Sequence, residues 1–137
     1  MILIITIITV LLIISAFSKS IMDAIQFHHK ESIFSKIKGP FWNLWFNPSE
    51  SWKLKWKNGD PFQGERFPGS STIFVWITDA WHFFQMMMLS AFQISIILAV
   101  LLNIKMTILI GIIVFASTKV IYGGIFELFW KYIWKIK

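Results

Sequence analysis

The chain predicts an all-α membrane protein with three transmembrane helices and, between the first and second, a cytoplasmic amphipathic segment rich in Trp and Lys. Three observations lead there. Of 137 residues 56% are apolar and 18% aromatic, with eight Trp, more apolar surface than so small a soluble domain can hide. Charge is segregated: residues 1–18 carry none, whereas residues 19–71 hold eight of the thirteen basic and five of the seven acidic side chains. Beyond residue 71 the sequence is again almost wholly apolar, in tracts long enough to cross a bilayer.

Taken in order, residues 1–38 form the first membrane helix with a cytoplasmic extension. The Ile/Leu-rich run 2–17 lacks the polar–apolar alternation of a strand. Ala16-Phe17-Ser18 has the small–x–small form of a signal cleavage site. Without a basic n-region, and with an apolar run longer than a usual h-region, the segment reads as a retained membrane helix. Apolar residues at helical spacing continue it to Ile37, and Gly39-Pro40 stops it.

Residues 39–71 are the interfacial polar segment. Asn47-Pro48-Ser49-Glu50 predicts a helix start, placing Trp52 and Trp56 one turn apart beside Lys53 and Lys57. Asn58-Gly59-Asp60-Pro61 ends that helix in a turn, and Pro68-Gly69-Ser70-Ser71 forms another with a hydroxyl placed to cap the next helix. Trp mixed with Lys is the composition of a lipid–water boundary, so Trp42, Trp45, Trp52, Lys53, Trp56, Lys57, Trp130 and Trp134 are assigned to the lipid interface.

Residues 72–137 hold the second and third spans and a basic aromatic tail. A span ending at Leu102 leaves Asp79 and His82 about one turn outside the hydrocarbon. Asn103-Ile104-Lys105 connects to a tract over residues 106–126, broken only by Lys119. Basic residues concentrate in residues 19–71 and in the tail. The positive-inside rule therefore sets both in the cytoplasm of an inner-membrane, multi-pass protein, with the N-terminus outside. The net charge of +6 then reads as contact with anionic head groups, and no nucleic-acid partner is expected although Lys53, Lys55 and Lys57 stand among Trp residues.

No cysteine is present, which removes thiolate chemistry and disulfides. Ionisable groups instead gather by topology at the cytoplasmic leaflet: Asp23, His28 and His29 after the first span, Asp79 and His82 before the second, Glu127 after the third. Asp79, His82 and Glu127 are the candidate catalytic groups. His28, His29, Asp79 and His82 are the candidate ligands of a divalent metal, the cofactor such a cluster would hold. Asp79 and His82 share a helix face at a spacing of three, and the plain alternative is a pair that caps the helix start. His28 and His29 point about 100° apart on a helix, which suits a solvated surface as well as a ligand role. Lys119 either snorkels to the interface or forms a buried ion pair with Asp79. No HExxH motif, phosphate loop or GxSxG is present.

The Trp52–Lys57 segment, the Asn58-Gly59-Asp60-Pro61 turn, Gly69-Ser70-Ser71-Thr72 and Thr78-Asp79-Ala80-Trp81-His82 together resemble small, uncharacterised integral membrane proteins of Bacteroidetes-type bacteria. The resemblance covers residues 17–85 at most. It implies a membrane location and brings no activity, so it assigns no residue a role.

Two functional expectations follow. One is an accessory or scaffold subunit at the cytoplasmic leaflet, in contact with membrane lipids and self-associated or joined to other membrane subunits. The other is a small membrane enzyme acting on lipid head groups through Asp79, His82 and Glu127.

Overall fold

The structure is a computed structural model that describes residues 2–101, 117, 120, 121, 124, 125 and 128–134. The described residues are mostly helical and contain no strand. Helix α1 runs Ile2–His28, α2 Pro40–Phe46 and α3 Ala80–Leu101. Short 3₁₀ turns fill the polar segment, and a π-helical turn covers Trp130–Trp134. Two helical stretches, Ile2–Glu31 and Ala80–Ala99, are long and apolar enough to cross a membrane. Among the described residues, only 17% and 11% of their most apolar windows are buried. The third apolar tract, with Lys105 and Lys119, lies largely outside the described residues.

Helix α1 has no breaker along its length, and the hydroxyls of Thr6, Thr9 and Ser20 bond its own backbone. Thr6 donates to Ile2 O and Thr9 to Ile5 O, each at 3.0 Å. Its second half carries a row of small buried residues: Ser15, Ala16, Ser18, Ser20 and Ala24. On α3, Ala80, Ala91 and Ser95 are buried in turn. Small side chains let two helices approach closely, and Ser15 Oγ reaches Met88 O of α3 at 3.2 Å.

The expected continuation of α1 to Ile37 does not form. The helix ends at His28, and the chain folds back through 3₁₀ turns His29–Glu31 and Ile33–Lys36. Ser32 Oγ donates to His29 O at 2.8 Å and Ser35 Oγ to Ser32 O at 2.9 Å, replacing helical pairing with local bonds. The fold-back buries Phe34, which stacks on Phe46 and packs against Trp134, each with ring centroids 5.0 Å apart. Gly39, at φ +106°, turns the chain before Pro40 opens α2, a helix the sequence reading does not anticipate.

The helix expected from Asn47 is also replaced. Asn47 Oδ1 accepts from Ser49 N at 3.0 Å, a local turn, and only a 3₁₀ turn, Ser51–Lys55, follows. Trp56 is extended and bridges to Glu65. Lys57 N donates to Gly64 O at 3.1 Å and Arg66 N to Lys55 O at 2.9 Å. These two bonds close a loop around the expected Asn58-Gly59-Asp60-Pro61 turn, where Asn58 is left-handed and Asp60 Oδ1 accepts from Phe62 N at 2.9 Å.

The core sits where these elements meet the middle of α1. Ile21, Ala24, Ile25, Phe34, Ala80 and Trp134 form it, with Phe17, Trp45, Phe46, Phe84 and Phe129 packed around. Replacing Ala24, fully buried beside Ala80, with Leu forces the two helices apart. Ala24→Leu is expected to cost about 1–3 kcal/mol and to lower the thermal midpoint in detergent, whereas Ile5→Leu on the exposed half of α1 leaves it unchanged.

Candidate functional site

Asp79 immediately precedes α3 and caps it. Its Oδ1 accepts from His82 N at 3.0 Å, which satisfies one of the free amides at the helix start. The same His82, at the third helical position, turns its ring back, with Nδ1 2.8 Å from both carboxylate oxygens. An ionised carboxylate accepts only, so Nδ1 carries the proton and Nε2 occupies the far edge of the ring. Thr78 Oγ1 lies 3.3 Å from Oδ2 while donating to Val75 O at 2.7 Å.

A cation arrives from the polar segment. Lys55 Nζ stands 3.8 Å from Asp79 Oδ2, and the Asp79 side chain is only 4% exposed. The Lys55 backbone is held in place by its own carbonyl, which accepts from Ser70 Oγ at 2.7 Å and from Arg66 N at 2.9 Å. Ser70 is fully buried, and its turn is organised by Glu65. That carboxylate accepts from Gly69 N at 2.8 Å, from Ser71 N at 3.1 Å and from the Ser71 hydroxyl. Ser71, expected to cap the next helix, therefore serves this turn instead, and Asp79 takes the cap. The three bonds, with that of the Ser71 hydroxyl foremost, hold the Glu65 carboxyl below the usual carboxylate range.

Burial pushes the Asp79 carboxyl up. The hydrogen bonds from the His82 ring and amide, with the charges of His82 and Lys55, outweigh it and leave Asp79 below its ordinary value. Beside this pair lies a cavity of about 240 Å³ lined by Lys55, His82, Gln26, Ser51, Trp52 and Trp81, among others. Trp81 Nε1 donates to Gln26 Oε1 at 2.8 Å and so ties α3 to α1 across the cavity mouth.

The sequence reading brings Asp79 and His82 together, and so does the fold. His28 and His29 lie apart from them, on a second cavity of about 490 Å³ shared with Lys30, Glu31 and Asn47. Among the described residues no group of three or more His, Asp or Glu side chains gathers to hold a metal ion, so the four expected ligands divide between two places. Glu127 and Lys119 lie outside the described residues, and the cation that meets Asp79 among the described residues is Lys55. Of the expected interface residues, Trp42, Trp52 and Lys57 are exposed, and Trp45, Lys53 and Trp56 are half-buried. Lys53 pairs with Glu50 and lies 5.9 Å over the Trp52 ring. Trp134 departs from its assignment. It is buried in the aromatic core, and its Nε1 donates to Ser20 Oγ at 3.1 Å, because an indole N–H taken from water requires a partner. Only the backbone of Trp130 is described.

Comparison of the chain with protein-family models, with curated proteins and with solved structures gives no match.

The Asp79 network fixes a pH dependence. The folded-state pKa of Asp79 is depressed, so its contribution to stability is complete above the unfolded carboxylate value of about 4 and is lost as pH falls through the folded value. Asp79→Asn is expected to abolish that dependence. In detergent, unfolding midpoints measured from neutral to acid pH should show a wild-type advantage that is constant near neutrality and vanishes in acid. Asp79→Ala additionally removes the cap, at a cost of about 1 kcal/mol or more.

Proposed function

We propose that this protein is a non-enzymatic component of a membrane, an accessory or scaffold subunit anchored at the cytoplasmic leaflet of the inner membrane. One observation carries the reading. The apolar helices leave their sides uncovered, with Ile2, Leu3, Ile5, Ile7, Val10 and Ile13 exposed along α1, while the polar segment is folded and pinned at one end of them. Exposed apolar helix sides call for lipid, and a pinned Trp/Lys segment suits the boundary beside it. The basic residues of that segment give the cytoplasmic orientation and the attraction to anionic head groups. A chain of this size offers few intramembrane contacts of its own, so it works self-associated or among other membrane subunits.

Asp79 and His82 serve this reading as structural groups. Each carboxylate oxygen is engaged, and the pair joins the polar segment to α3. The chain is expected to resist alkaline extraction from membranes, and Asp79→Asn is expected to lower its steady-state amount several-fold. Recovery of the wild-type chain in the alkaline supernatant would overturn the reading.

A second reading, an enzyme acting on lipid head groups, is favoured by one geometric fact. Asp79 orients the His82 ring from Nδ1, the arrangement by which a carboxylate prepares an imidazole to act as a base from Nε2. A divalent metal would need ligands beyond Asp79 and His82, since the described groups do not converge on one ion. Head-group turnover by the purified chain that disappears in His82→Gln, with stoichiometric metal that disappears in Asp79→Asn, would install this reading in place of the first.

A further inference from the structure

The cavity beside Asp79 differs from a generic surface hollow in what its walls present. Asp79, its acidic group, is engaged by the His82 ring and amide, and its charge is offset by Lys55. Lys55, Gln26 and Ser51 supply donors to the cavity. Lys55 Nζ has three N–H bonds and meets Asp79 only at 3.8 Å. Gln26 uses its Oε1 to accept from Trp81, which leaves its amide N–H bonds for the cavity. Ser51 contributes a hydroxyl, and His82 Nε2 occupies the ring edge opposite Asp79. Two indoles, Trp52 and Trp81, form apolar walls, and the Trp52 and Trp81 N–H groups are already spent on Ser49 O and Gln26 Oε1.

We propose that this cavity binds a phosphate group at the membrane surface, with Lys55 as the principal cation, Gln26 and Ser51 as hydrogen-bond donors, and Trp52 and Trp81 bracketing the organic part of the phosphate ester. About 240 Å³ is room for a phosphate and a small alcohol such as glycerol, not for acyl chains, which would lie along the exposed side of α3. The location agrees, because Asp79 heads an apolar helix and its cavity opens where head groups would lie. The ligand is held by a defined set of groups rather than by the diffuse charge of the polar segment. Lys57, exposed and outside the cavity, has no part in it. This inference rests on the membrane reading above for its source of phosphate, and its test does not depend on that reading.

The test uses the full chain in neutral detergent, titrated calorimetrically with dihexanoyl phosphatidylglycerol, glycerol 3-phosphate and inorganic phosphate. Lys55→Gln is expected to weaken binding about tenfold or more, the loss of one charge-assisted hydrogen bond, and Lys55→Arg to restore most of it. Gln26→Glu keeps the acceptor for Trp81 and sets a negative charge at the mouth, so it is expected to weaken binding comparably while the melting temperature stays that of wild type. Lys57→Gln is expected to leave affinity unchanged. Tightest binding of phosphatidylglycerol assigns the site to a lipid head group, and equal affinity for glycerol 3-phosphate assigns it to a soluble phosphate ester; both uphold the phosphate site. Absence of binding by all three probes, or equal losses in Lys57→Gln and Lys55→Gln, overturns it. A chain that resists alkaline extraction yet binds no phosphate sinks this inference and leaves the membrane reading standing.

Discussion

A buried carboxylate at the head of an apolar helix must be satisfied, and the polar half of this protein is arranged around that requirement. Leaving one ionised oxygen of Asp79 unpaired would cost several kcal/mol. Its partners come from different parts of the chain: the His82 amide and ring from α3, and Lys55 from the polar segment. The first two are guaranteed by local sequence. Lys55 is not, and bringing it to Asp79 requires the 3₁₀ turn Ser51–Lys55, the bridge from Trp56 to Glu65, and Ser70 seated on the Lys55 carbonyl. Contacts spread over the polar segment thus deliver Lys55 to Asp79.

The aromatic core sets the second constraint. Phe34 must leave the line of α1 to stack on Phe46, and Trp134 returns from the far end of the chain to meet both Phe34 and Ser20. Such ring contacts add directional preference to burial, at about 0.5–1.5 kcal/mol per pair. Small residues on α1 and α3 permit the close approach that brings these rings together. Polar segment, core and C-terminal turn therefore collect at one end, and among the described residues the other end of α1 is apolar and exposed.

What is legible in the sequence is what depends on neighbours in sequence. The apolar tracts, the Asn58–Pro61 turn and the Asp79–His82 pair all follow from spacings of four residues or fewer, or from uninterrupted runs. The helix expected over 47–58 fails because Lys55 and Trp56 are drawn into pairing with Arg66 and Glu65, a contact no local pattern announces. The fold-back after His28 is half legible: Ser32 and Ser35 are residues whose hydroxyls compete with helical bonding, but the burial of Phe34 that rewards the break is tertiary. Trp134 looks like its neighbours in an interfacial tail, and only distant partners, Ser20 and the rings of Phe17 and Phe34, make it a core residue. Within the site, Lys55, Gln26 and Trp81 are missed for the same reason. The one available signal for Lys55 was its place between Leu54 and Trp56, a cation flanked by side chains that seek burial.

The hydroxyls along the apolar helices bear on which solvent the fold is built for. Thr6 and Thr9 lie on exposed stretches of α1, where water would satisfy them at no cost, yet both donate to carbonyls one turn back. Ser95 of α3 bonds Phe92 O at 2.7 Å, and Ser15 crosses to Met88 O. A helix in water gains little from such bonds, because they compete with an equivalent partner that is always present. In hydrocarbon there is no competing partner, and an unspent hydroxyl carries its whole desolvation penalty. The charged groups follow the opposite rule: on the described part of α1 the first is Lys19, paired with Asp23 beyond the most apolar stretch. On these helices Thr6, Thr9, Ser15 and Ser95 close on the chain where the surface is apolar, and charged side chains begin only where it becomes polar.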